Sequence, residues 1–177
     1  RAARIDYSRG ESPISLAELC AIYATSDVDF RCEIKPGVGG RAYDDFVPRV
    51  VAELDRHGML ERTVFSSFLI RSMDELGRAT TRPRLWLVSP PVLIQLGIHA
   101  VVELARAHGI PEIGVNIDHA DRALMEIVAG AGLEFGCWAA HDSAQITKAL
   151  TLGVKVFTTD RPSLAIDLRN DFHGVMA

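Results

Sequence analysis

From about residue 28 to its end the chain repeats one pattern. A short apolar, β-rich run is followed by an amphipathic stretch, and several of those stretches end in glycine. The apolar runs are Val28–Lys35, Thr63–Phe68, Arg84–Val88, Glu112–Ile117, Glu134–Ala139 and Val154–Thr159. Their brevity and their Val, Ile, Phe and Trp content suit strands covered on both faces. The segments between them read as helices. In Tyr43–Arg56, Phe46, Val47, Val50, Val51 and Leu54 fall at helical spacing, with Pro48 near the start, where a missing N–H costs least. Val92–Ala107 and Arg122–Ala131 repeat the pattern, and Ser143–Leu152 follows Asp142, a plausible N-cap. Gly58, Gly109, Gly132 and Gly153 stand where a helix must stop and turn back into a strand.

Such alternation implies a parallel sheet with helices outside it. One more helix, Ser15–Ala24, precedes the first strand and reads as a crossover, so a further strand is expected ahead of it. Two architectures remain open: a doubly wound open sheet, or a TIM (β/α)8-type barrel incomplete at its N-terminus. Gly37, Gly39 and Gly40 follow a strand but lack the Gly-x-Gly-x-x-Gly spacing, which removes the usual dinucleotide reading. No interdomain linker is visible, and residues 1–177 read as one domain.

Composition narrows the function classes. A net charge of −4 argues against a nucleic-acid face, and no apolar run approaches the roughly 20 residues of a transmembrane helix. Arg1–Gly10 has no apolar signal core, so the expectation is a cytoplasmic protein. Cys20, Cys32 and Cys137 form no framework and read as reduced, buried small hydrophobes.

In a parallel barrel, chemistry gathers at the C-terminal ends of the strands. The first run ends in Glu33-Ile-Lys35, and residues two apart share a face. A divalent metal on Glu33 and a phosphate near Lys35 would compensate both charges; a plain Glu–Lys ion pair is the competing reading. Ser67-Phe68 ends the second run, and Phe68 is either a pocket wall or core. Trp138, at the end of the fifth, can wall a pocket for a glycerol-like group. Asp160 reads as the cap of the closing helix, and Asp118 or Asp121 as the cap of an earlier one. His57 and His108 sit at helix ends, where a partial positive charge is favourable.

These pieces resemble the glycerophosphodiester phosphodiesterase family. Ile14-Ser-Leu-Ala-Glu-Leu19 after Pro13 is similar to its P-T-L-x-E-L helix start. Glu33-Ile-Lys35 is similar to its E-I/L-K strand, Ser67-Phe68 to its S-F, and Cys137-Trp138 to its W-T-V-N segment. Gly153-Val-Lys-Val-Phe-Thr-Thr-Asp-Arg-Pro162 is similar to its G-V-D-x-I-x-T-D-x-P run. Each match is short, but their order and spacing cover nearly the whole chain and favour the barrel. The resemblance implies metal-dependent hydrolysis of a glycerophosphodiester to glycerol 3-phosphate and an alcohol. It implies Glu33 as a ligand of one divalent cation, Mg2+ or Ca2+, Lys35 as a catalytic group at the phosphate, and Phe68 and Trp138 as substrate-binding aromatics. The family's His-Arg-Gly and Glu-x-Asp strands and its second catalytic His have no counterpart in these residues, so this stretch alone is expected to be inactive. The W-T-V-N segment reads Trp138-Ala-Ala-His141, losing Thr and Asn and leaving a role for His141 open. The expected partner is a small glycerophosphodiester, with no nucleic acid. Two unpaired sheet edges would allow a homo-oligomer, and a non-catalytic barrel remnant acting as a binding module is the alternative.

Overall fold

A computed structural model describes residues 13–176, with side chains described as far as Phe172. Arg1–Gly10, read above for a targeting signal, lies outside them. Among the described residues, thirteen α-helices and strands alternate. They are α1 (Leu16–Tyr23), β1 (Phe30–Glu33), α2 (Phe46–Arg56), β2 (Thr63–Ser67), α3 (Ile70–Ala79), β3 (Arg84–Val88), α4 (Pro90–Ala107), β4 (Glu112–Asn116), α5 (Arg122–Gly130), β5 (Glu134–Trp138), α6 (Ser143–Leu152), β6 (Val156–Phe157) and α7 (Pro162–Met176). Every expected strand is present, most of them shorter than its apolar run. The last shrinks most, because only Val156 and Phe157 pair with β5.

The six strands are all parallel and lie in chain order, β1 to β6, with no reversal. A doubly wound sheet would reverse at a switch point. The sheet is also curled. Arg31 on β1 reaches Glu112 on β4 at 3.8 Å, and the rings of Phe68 and Trp138, beyond β2 and on β5, lie 5.4 Å apart. Strands three places apart in a flat sheet are about 14 Å apart, at roughly 4.8 Å per spacing. Only a sheet bent into part of a cylinder brings those side chains together. Six sequential βα units form a curled, TIM-like half-barrel.

The helices cover the convex face. Ile34, Phe65, Trp86, Val88, Ile113, Val115, Phe135 and Cys137 from the strands join Val47, Leu54, Met73, Leu76, Val101, Ala105, Val128 and Ile146 from the helices in one buried cluster. Local signals set the helix ends. Ser15 Oγ accepts from Glu18 N, and the Glu18 carboxylate accepts from Ser15 N at 2.8 Å. This reciprocal capping box is the physical content of the Ser-Leu-Ala-Glu segment, and hydrogen bonds donated to the Glu18 carboxylate by the Ser15 hydroxyl, then by the Ser15 backbone N–H, lower the Glu18 pKa. Asp121 and Asp142 cap α5 and α6 through Leu124 N and Gln145 N. Gly153 ends α6 in the left-handed conformation, and Gly58, Gly109 and Gly132 also have positive φ after their helices.

One feature departs from the sequence reading, and a second lay outside it. The helix expected over Val92–Ala107 is broken at Gly97, whose φ of 73° and ψ of 160° interrupt α4. At Gly77 on α3, a Cβ would lie 1.5 Å from Arg84 Nη1. The Arg84 guanidinium crosses that glycine to donate to the carbonyls of Met73 and Gly109, tying the body of α3 to the turn after α4. The cysteines are all free, but Cys32 is only half-buried. Desolvation pushes the Cys32 thiol up to about 11 and that of Cys137 up to about 12.

Candidate active site

The concave face is built by alternation. Every second residue of β1 and of the extended segment just after it points inward, so Arg31, Glu33 and Lys35 share one cavity while Ile34 joins the helix-side core. Ser66, Phe68, Leu87, Trp138, Ala139, His141 and Thr158 complete a cavity of about 620 Å3 at the C-terminal ends of the strands. All four residues singled out by the sequence, Glu33, Lys35, Phe68 and Trp138, line it. Leu85 and Leu87 also point inward, and Gly114 makes room for them: its Cβ would lie 3.1 Å from Leu85.

Lys35 Nζ and Glu33 Oε2 are 4.0 Å apart, with side chains 76% and 32% exposed. At that distance and exposure the ion pair alone contributes little, and the ammonium is free to meet an anion. Phe68 and Trp138 meet edge to face at 83°, a preferred aromatic arrangement that fixes both rings as one apolar wall.

The deeper layer was not singled out by the sequence reading. Glu112, 3% exposed, faces Arg31 at 3.8 Å and Lys155 at 3.2 Å, and Lys155 also reaches Glu134 at 3.6 Å. Desolvation lowers the Arg31 pKa, and the Glu112 charge opposes that shift. The period of two that links Glu33 to Lys35 also places Arg31 on their face. That signal was in the sequence; its partner on β4 was not.

One capping alternative is settled for Asp121, and one assignment, that of Asp160, changes. Asp121 caps α5, whereas Asp118 accepts from Gln145 Nε2 at 2.9 Å. The Asp160 carboxylate meets His141 Nδ1 at 2.8 Å rather than a helix N–H. His57 and His108 are C-cap residues, paired with Glu53 and Asp74.

Among the described residues, no three His, Cys, Asp or Glu side chains are gathered to hold a metal ion. Glu33 offers a hard oxygen donor of the right type for Mg2+ or Ca2+, but it does not make a full ligand set. A larger groove of about 830 Å3 lies outside, between α2 and α3, at Asp44, Pro48, Asp55 and Arg71. It is away from the strand ends, so volume alone does not choose the site.

Among solved structures, a glycerophosphoryl diester phosphodiesterase from Agrobacterium tumefaciens matches with a TM-score of 0.92. It is 66% identical, over 96% of this chain and 68% of its own. The chain belongs to the glycerophosphodiester phosphodiesterase family. That family consists of phosphoric diester hydrolases. A glycerophosphoryl diester phosphodiesterase from Silicibacter pomeroyi matches at 0.76 with 22% identity, over 89% of this chain and 55% of its own. A phosphodiesterase from Oleispira antarctica, solved with the product sn-glycerol-3-phosphate, matches at 0.64 with 16% identity, over 88% and 60%. These last two likenesses bear on the fold alone, and the chain spans less than two thirds of either. No family model matches the chain, and no curated protein does. Among the described residues, no helix is long and apolar enough to cross a membrane.

Proposed function

We propose that this chain supplies six units of a single (β/α)8-type barrel domain that hydrolyses glycerophosphodiesters to glycerol 3-phosphate and an alcohol. One observation carries the reading: the cavity at the strand ends combines a carboxylate, a largely free ammonium and a fixed aromatic wall. The family supports the reaction class.

Lys35 meets the phosphoryl oxygens and offsets the charge that develops on them, the kind of electrostatic stabilisation that dominates phosphoryl chemistry. Phe68 and Trp138 hold the carbon skeleton of the glycerol end and exclude water from it. Glu33 would give one carboxylate to a divalent cation, with further ligands needed beyond the described residues; such a cation would polarise the phosphoryl group and orient the nucleophile. Proton transfer falls to the two histidines that the family resemblance places on segments outside this stretch.

The eight-unit barrel has a separate support. Arg31 Nη1, Glu112 Oε1 and Trp138 Nε1 are buried without hydrogen-bond partners among the described residues, and all three belong to inward-facing side chains. Buried polar atoms are nearly always satisfied, so ordered water or further polar groups belong inside the curve.

The test is hydrolysis of glycerophosphocholine by the full-length protein with Mg2+ or Ca2+. The expected result is release of sn-glycerol 3-phosphate that stops on chelation, with none from the 177-residue stretch alone. A full-length protein that releases none with either ion contradicts the proposal.

A further inference from the structure

His141 lines the cavity together with Trp138, and the way its ring is held decides what it can offer a ligand. Its Nδ1 accepts a hydrogen bond from the Asp160 backbone N–H at 3.3 Å. A ring nitrogen that accepts has no hydrogen of its own, so in the neutral imidazole the hydrogen sits on Nε2. Asp160 Oδ1, 2.8 Å from the same Nδ1, is the counter-charge whenever the ring is protonated, and an imidazolium carries a hydrogen on both nitrogens. In either state Nε2–H is a donor. Among the described residues nothing accepts from it.

Main-chain bonds hold the loop that carries this ring. The His141 backbone N donates to Gln145 Oε1 at 2.9 Å, and Gln145 Nε2 donates to Asp118 Oδ1 at 2.9 Å. Gln145 N in turn donates to Asp142 Oδ1 at 2.8 Å. These bonds tie the loops after β4 and β5 together, and the Asp160 N–H brings in the loop after β6. Ala139 stands between Trp138 and this lacing with a φ of 63°, a left-handed conformation uncommon for a residue with a Cβ. Backbone of this kind persists where surrounding contacts impose it. Here the turn lets both Trp138 and His141 line the cavity.

Lys35 follows β1 and His141 lies between β5 and α6, far apart in strand order, yet both line the same space. An ammonium can only donate, and so can the free Nε2–H. Two donors in one cavity call for a ligand made of acceptors. The nonbridging oxygens of a phosphodiester are such acceptors, and their charge strengthens each bond they accept. We propose that His141 is a substrate-binding residue whose Nε2–H donates to a nonbridging oxygen of the phosphoryl group, the same group that Lys35 meets. The inference rests on the hydrolase reading above. The Asp160 backbone N–H is what fixes the neutral ring in the donating tautomer.

Two measurements on the full-length protein test it. Long-range 15N NMR above the imidazole titration range is expected to show His141 as the Nε2–H tautomer. Asp160→Ala keeps the backbone donor and is expected to show the same tautomer. Affinities for inorganic phosphate and for sn-glycerol 3-phosphate are then compared across variants. His141→Leu retains the main-chain bond to Gln145 and is expected to weaken both ligands alike, by about tenfold or more. His141→Gln, whose amide can donate, is expected to stay within about threefold of wild type. An Nδ1–H tautomer in the wild type or in Asp160→Ala overturns the inference. So does a His141→Leu protein that binds inorganic phosphate as the wild type does, whether or not it loses sn-glycerol 3-phosphate. Wild-type protein that binds neither ligand defeats the hydrolase reading itself, and this inference with it.

Discussion

The two faces of the sheet were built by different rules. On the convex side, strand and helix side chains close into a dry cluster in which Leu54, Phe65, Met73 and Leu76 are fully buried. On the concave side the same strands present Arg31, Glu33, Lys35, Glu112 and Glu134, and the orphaned buried polar atoms belong to this side. The convex face stabilises the domain through buried apolar area, at about 25 cal/mol per Å2. The concave face spends stability on charges that only an anion, a cation or further chain can satisfy. A strand of period two can serve both needs at once, as Ile34 does between Glu33 and Lys35.

That contrast can be broken at either face. Leu54→Ala, on the convex side, is expected to cost about 2–5 kcal/mol by urea denaturation, because the cavity it leaves is closed on every side. A loss below about 1 kcal/mol would mean the helix layer is looser than described. Glu112→Ala is expected to cost about 3 kcal/mol despite being polar, since it strands the Arg31 guanidinium in a desolvated place. Replacing both, as Arg31→Met with Glu112→Leu, should recover most of that loss in a double-mutant cycle.

Raised pH tests the convex face as well. Cys32 and Cys137 keep their protons more tightly when folded, at about 11 and about 12 against an ordinary value of 9.0. The unfolded chain therefore releases protons first as pH rises. Their contribution is complete below pH 9 and is lost as pH climbs from 9 through about 11 and then about 12. The denaturation midpoint should fall over that window, and less steeply in Cys137→Ala. An unchanged slope would contradict burial of that thiol.

Much of the fold was legible because it is periodic. Apolar runs, amphipathic stretches and the glycines after them gave strand order and helix placement, and residue parity put Glu33 and Lys35 on one face. The curl was not legible from pattern, since it depends on contacts such as Arg31 with Glu112, 81 positions apart in sequence and joined only by bending. The helix Ile70–Ala79 carries few apolar residues, and Gly97 looks helical in a window that averages over it. His141 and Asp160 meet because β5 pairs with β6, and a capping residue and an imidazole partner look alike in one dimension.

The most direct measurement compares turnover and folding in the full-length protein for Lys35→Met. The side chain is largely exposed, so its denaturation midpoint should match the wild type within about 0.5 kcal/mol. Release of sn-glycerol 3-phosphate from glycerophosphocholine should fall at least about a hundredfold, the usual penalty for removing one group that stabilises developing charge. Wild-type turnover in that variant would contradict the claim that this cavity is where the phosphodiester is cut.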